Sequence, residues 1–205
     1  MPPLSIAVLI SGGGTTLVNL QQRIIDGTLP AQVVQVIASK RCGGVEKALA
    51  AGLAVDVLRP QEFESVAAYS KAVFDRLRQQ QVSLVVLGGF LSRLEIPADF
   101  QARVLNIHPA LIPAFCGQGM YGDRVHQAVL DRGCKVSGCT IHFCDNEYDH
   151  GPIVLQRCVP VLDDDDVHSL QARVFAAECE AYPEAIRLFA EGRLVVVDRL
   201  VRILT

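Results

Sequence analysis

The chain has 205 residues, half of them hydrophobic and a fifth charged, a balance that suits one folded domain with a sizeable core and not a disordered chain. A net charge of −3 argues against nucleic acid as a partner, and no apolar run approaches the roughly 18 residues of a membrane span. The start, Met1-Pro2-Pro3-Leu4, lacks the basic region and cleavage site of a secretory signal, so a cytoplasmic protein with no membrane partner is expected.

Apolar, β-rich runs alternate with helical patterns along the first half. Strands are predicted at 6–10, 33–38, 54–58, 83–87 and 104–107, and helices at 16–26, 44–52 and 62–80, the last behind Pro60. Short, nearly all-apolar strands separated by helices predict an α/β fold, a Rossmann-like and mostly parallel sheet flanked by helices on both faces. After residue 133 two strands, 135–144 and 153–161, bracket the turn Asn146-Glu147-Tyr148-Asp149-His150-Gly151-Pro152, which predicts an antiparallel C-terminal extension. A helix over 166–190 follows Asp163-Asp164-Asp165-Asp166, acids that suit the positive end of a helix dipole. No repeat or linker interrupts the pattern, so one domain over 1–205 is expected.

Seven cysteines form no Cys-x-x-Cys pair, and their odd number fits neither a disulfide framework nor a zinc site. On a single strand Cys139 and Cys144 would face opposite sides and could not share a metal. They are expected to be small core fillers in a reducing compartment.

Between the first strand and first helix lies Ser11-Gly12-Gly13-Gly14-Thr15-Thr16. Glycines allow close backbone approach, the helix N-terminus offers unpaired N–H groups, and two hydroxyls add donors. A dinucleotide fingerprint would want glycine where Leu17 stands and an acid near Ala38-Ser39-Lys40, and the Walker lysine is also missing. The loop therefore fits a monophosphate or similar anion, with a ligand-free βα turn as the alternative.

The fifth strand ends in Leu105-Asn106-Ile107-His108-Pro109. Asn106 and His108 alternate with apolar residues, so both point to one face, and both can donate to a developing oxyanion. Asp149, in the turn after Thr140-Ile141-His142-Phe143, is the candidate that moves protons. His108 alone could be structural; the combination points to acyl transfer.

Five segments carry a resemblance to a known family: Leu9-Ile10-Ser11-Gly12-Gly13-Gly14; Leu87-Gly88-Gly89-Phe90; Leu105-Asn106-Ile107-His108-Pro109-Ala110-Leu111-Ile112-Pro113; Gly138-Cys139-Thr140-Ile141-His142-Phe143; and Asp149-His150-Gly151-Pro152-Ile153-Val154-Leu155-Gln156. In this order they resemble the glycinamide ribonucleotide formyltransferases of the formyltetrahydrofolate hydrolase/transferase superfamily, over roughly residues 4 to 195. The resemblance implies transfer of formyl from 10-formyltetrahydrofolate, as co-substrate and without a metal, to the amine of glycinamide ribonucleotide in purine biosynthesis. It implies catalysis by Asn106, His108 and Asp149. It places the substrate phosphate on Gly13, Gly14, Thr15 and Thr16 and the ribose hydroxyls on Glu178. It lines the pterin pocket with Leu91, Leu94, Asn106 and the run Asp145, Asn146, Glu147, Tyr148 and Asp149, while Thr140 and His142 brace the site. A phosphate-binding half at about 1–100 and a folate-binding, catalytic half at about 101–205 follow, in a monomer or homodimer.

Three positions depart from the family pattern: Val66 stands for an arginine that meets the folate tail, Phe175 for a polar residue near the phosphate, and Ala110 for serine. The Gly-rich run 115–123 is longer than in many relatives and is expected to act as a flap. Alternatives are a formyltetrahydrofolate hydrolase, whose N-terminal regulatory domain is not expected before Leu4, a formyltransferase for an amino sugar nucleotide, and a non-enzymatic nucleotide sensor. A tRNA-directed formyltransferase would bring a basic C-terminal domain, which is not expected here.

Overall fold

The structure, a computed structural model, describes residues 2–205, and the chain divides after Leu105 into two compact units. The fold is α/β, with a mostly parallel sheet and antiparallel strands in its C-terminal part.

The first unit alternates strand and helix: β1 (Leu4–Ile10), α1 (Thr15–Ile25), β2 (Ala31–Ala38), α2 (Gly43–Ala50), β3 (Val55–Val57), α3 (Val66–Gln79) and β4 (Leu84–Leu87). Its strands lie in the order β3-β2-β1-β4, all parallel. Strand β1 is the centre, and Ile6 to Ile10 are fully buried, as an inner strand of a parallel sheet requires. The helix expected over 62–80 is two elements. A 3-10 turn at Pro60–Glu62 ends before Ser65, whose hydroxyl caps α3 by accepting from Ala68 N–H at 3.1 Å.

Strand β5 (Val104–His108) leads into the second unit, with α4 (Asp123–Asp131), β6 (Val136–Phe143), β7 (Ile153–Pro160), α5 (Val167–Ala190), β8 (Leu194–Val197) and β9 (Leu200–Ile203). The order is β5-β6-β7-β9-β8, with β6/β7 and β8/β9 antiparallel and β7/β9 parallel. Two of the four aspartates act locally, and Asp163 meets Lys135 Nζ at 2.6 Å. Asp166 caps α5 through a reciprocal box with Ser169, and Asp165 pairs with Arg173 and accepts from Leu162 N–H.

Helix α4 and the β8–β9 hairpin are additions to the expected element list. The cysteines correct their expectation: all seven are free, but only Cys139 is buried, Cys158 is exposed, and Cys144 lies one residue past the end of β6. Their number reflects no core role beyond Cys139. Among the described residues, no helix is long and apolar enough to cross a membrane.

Candidate active site

The catalytic candidates lie within the second unit and meet at one carboxylate. Asp149 Oδ1 is 3.4 Å from Asn106 Nδ2 and 3.7 Å from His142 Nε2, and Asp149 Oδ2 is 3.5 Å from His108 Nδ1. Asn106 and His108 thus do share a side of β5. The His108 spacing is an ion-pair distance and too long for a strong hydrogen bond. Gly117 N–H donates to Asp149 Oδ2 at 2.9 Å, so the carboxylate is held from the 115–123 run as well.

Burial and partners set the charges. Burial works to raise the Asp149 carboxyl, but the adjacent imidazoles of His142 and His108 and the Gly117 N–H together hold it below its ordinary value of 3.8. For His108 burial dominates in the other direction: it pushes the imidazole below 6.5, against the pull of Asp149. At neutral pH the pair is an ionised carboxylate beside a neutral ring. The tautomer follows from Phe115, whose carbonyl accepts from His108 Nε2 at 2.8 Å; a carbonyl cannot donate, so Nε2 carries the hydrogen. His142 Nδ1 lies 3.0 Å from Phe143 O, which leaves its Nε2 to accept from Asn106 Nδ2 at 3.1 Å.

A second layer fixes the strand end. Thr140 Oγ1 donates to Ala110 O at 2.7 Å and accepts from Ile112 N–H and from Gln156 Nε2, both at 3.0 Å. Gln156 also donates to Ile112 O. One hydroxyl therefore locks the turn after His108, and Ala110 contributes its carbonyl and no side-chain polarity. Asp149 itself has φ 53, a left-handed backbone that non-glycine residues seldom adopt.

The anion-loop candidates lie in the first unit. Gly14 has φ 69, and a Cβ there would fall 2.7 Å from Gly44 Cα, so Gly14 is required by conformation and by packing. Gly12 and Gly13 face open space, Thr15 is exposed and Thr16 half-buried at the start of α1. Gly44 N–H donates to Gly12 O at 3.0 Å, and Lys47 Nζ donates to Gly13 O at 2.8 Å. Sequence reasoning missed Gly44 and Lys47; the Gly43-Gly44 pair opening α2 was the available signal. It also missed Ser11, whose buried hydroxyl meets Ser39 Oγ at 2.6 Å and accepts from Leu91 N–H at 3.0 Å, tying the loop to the 89–91 segment.

Of the remaining candidates, Leu91 is exposed and Leu94 half-buried, while Asn146, Glu147 and Tyr148 are exposed on their turn. Asp145 accepts from Glu147 N–H at 2.8 Å. Glu178, on α5, is half-buried, and desolvation pushes its carboxyl up to about 7. Val66 is exposed on the first turn of α3, and Phe175 is half-buried on α5.

A half-buried carboxylate that gathers an amide and two imidazoles at the end of a β-strand is equipped to move protons beside an oxyanion. The chain belongs to the formyl transferase family, whose sequence model matches residues 4–186. Its relatives include the phosphoribosylglycinamide formyltransferase of Haemophilus influenzae, 35% identical over 95% of this chain and 91% of that one. The chloroplastic enzyme of the same name from Arabidopsis thaliana is 39% identical over 92% of this chain, which spans 66% of that protein's length. The crystal structure of glycinamide ribonucleotide transformylase 1 from Symbiobacterium toebii superposes with a TM-score of 0.93 at 42% identity, covering 99% of this chain and 95% of that one.

Proposed function

We propose that this protein transfers the formyl group of 10-formyltetrahydrofolate to the amine of glycinamide ribonucleotide. The observation that carries the reading is the convergence of Asn106, His108 and His142 on the Asp149 carboxylate. The named relatives supply the group transferred and its acceptor.

The amine attacks the formyl carbon, and the carbonyl oxygen takes up negative charge. Asn106 Nδ2 and the Nε2–H of His108 are the donors for that oxygen. Both are engaged internally, with His142 and with the Phe115 carbonyl, so Phe115 must withdraw for His108 to serve the substrate. The ammonium proton of the adduct leaves to Asp149 through a water and returns to N10 of the folate as the carbon–nitrogen bond breaks. An ionised Asp149 suits the first step. A proton on Oδ2 can be shared with the Nδ1 lone pair of His108, which raises the ring's donor strength as the oxyanion forms.

The phosphate is assigned to Gly13, Gly14, Thr15 and Thr16, and the ribose hydroxyls to Glu178. Leu91, Leu94 and residues 145–149 are assigned to the folate. Exposed apolar side chains and turn backbone fit a flat heteroaromatic ring. Incubation with both substrates should give tetrahydrofolate and formylated amine in equal amounts. Formate release without added amine would instead mark a hydrolase, and no turnover of the folate would overturn the reading.

A further inference from the structure

The turn that carries Asp149 is closed by side chains that take no part in the chemical steps above. Asp145 Oδ2 meets His150 Nδ1 at 2.8 Å while Asp145 Oδ1 accepts from Glu147 N–H, so residues 145–150 form a ring shut by one carboxylate. Arg199, in the Asp198-Arg199 turn between β8 and β9, grips this ring from outside. Its Nη2 donates to His150 O at 2.8 Å. Its Nη1 lies 2.8 Å from His150 Nε2 and 3.3 Å from Nδ1. With Nη2 on the carbonyl and Nη1 on the imidazole, the guanidinium binds His150 at two places.

The end of the turn has an anchor of its own. Gly151 packs so tightly on β6 that a Cβ would fall 1.8 Å from Phe143 O. That fixes the end of the turn but not its outer arc. The arc must hold Asp149 at φ 53 with its carboxylate aimed at His108 and Asn106. The Arg199 turn is stationed next to it because β9 pairs with β7 at Ile153↔Leu200, two residues past Gly151.

We propose that Arg199 and His150 are positioning residues that hold the 145–150 turn, and through it Asp149 and the folate-facing backbone, in the arrangement the reaction needs; the proposal rests on the formyl-transfer reading above. His150 and Asp145 are 44% and 36% exposed. Pairs this open add little to global stability, so the clamp acts on the local order of the turn.

The test is hydrogen exchange and steady-state kinetics on Arg199→Met, His150→Ala and His150→Asn in the full chain. In the first two, the amides of 145–150 should exchange about five-fold faster while those of β6 do not change. The KM for 10-formyltetrahydrofolate should rise about five-fold and kcat should fall, with the KM for glycinamide ribonucleotide and the Tm nearly constant. His150→Asn keeps a donor near the Nδ1 position and should restore exchange and KM. Unchanged exchange at 145–150 in Arg199→Met overturns the clamp whatever the activity, as does His150→Asn behaving like His150→Ala. A loosened turn in a chain whose wild type transfers no formyl group would leave the clamp standing and sink the formyl-transfer reading.

Discussion

A carboxylate as enclosed as that of Asp149 would ordinarily gain a proton, yet its donors keep it ionised, and His108 beside it is kept neutral by the same enclosure. Both shifts are downward, so both groups bind more protons in the unfolded chain than in the folded one. Stability should therefore fall on acidification, first as the pH drops below about 6.5 for His108 and again below about 3.8 for Asp149. Turnover should be flat from neutral pH upward and lose activity only on the acid side; an acid limb centred above 7 in a pH–rate profile would contradict this. Glu178 has the opposite sign. Its folded value, about 7, lies above the ordinary 4.5, so the folded chain holds the extra proton and stability from this group is lost as the pH rises through 7. Glu178→Gln should melt higher than wild type at pH 8 and no higher at pH 5, with a raised KM for glycinamide ribonucleotide. At Gly14, alanine would meet both a left-handed backbone and the Gly44 Cα, and a loss of about 2 kcal/mol or more is expected in denaturant unfolding.

Elements decide how these residues meet. The 115–123 run reaches the site through backbone atoms, Phe115 O on His108 and Gly117 N–H on Asp149. No residue type signals such contacts, which is why composition marked the segment as a flap without showing what it touches. Gly117→Pro would remove that N–H and forbid φ 97, and should speed exchange across 115–122 and lower kcat while leaving the melting of the rest of the chain unchanged. Helix α5 illustrates a purely structural signal: Asp166→Ala should cost about 1 kcal/mol in thermal unfolding with normal kcat. Helix α4 was hidden because nine residues give only two buried apolar positions, Val125 and Val129, with His126 between them. The β8–β9 hairpin was more legible. Four apolar residues on one side of Asp198-Arg199 and Leu200-Val201 with Ile203 on the other are a hairpin pattern, and its value emerged only with the Arg199 contacts.

Across the whole molecule, the parallel core and the Asn106–His108 pair were legible for one reason: each is written in side-chain type at a fixed period. Ile6 to Ile10 announce a buried strand, and Asn106 with His108 announce polar groups on one side of a later strand. The left-handed Asp149, the Gly14–Gly44 approach and the Lys47 bond to Gly13 O depend on chain trajectory, which no local pattern encodes. Lys47 is nevertheless a cation held on the proposed anion loop, so Lys47→Ala should raise the KM for glycinamide ribonucleotide several-fold at constant kcat. The most direct measurement on the trio is kcat with saturating 10-formyltetrahydrofolate and glycinamide ribonucleotide for His108→Ala and Asp149→Asn, alongside folate binding. A fall of about 10²–10³ in kcat with binding retained is predicted. Near-normal turnover in either variant would contradict the account.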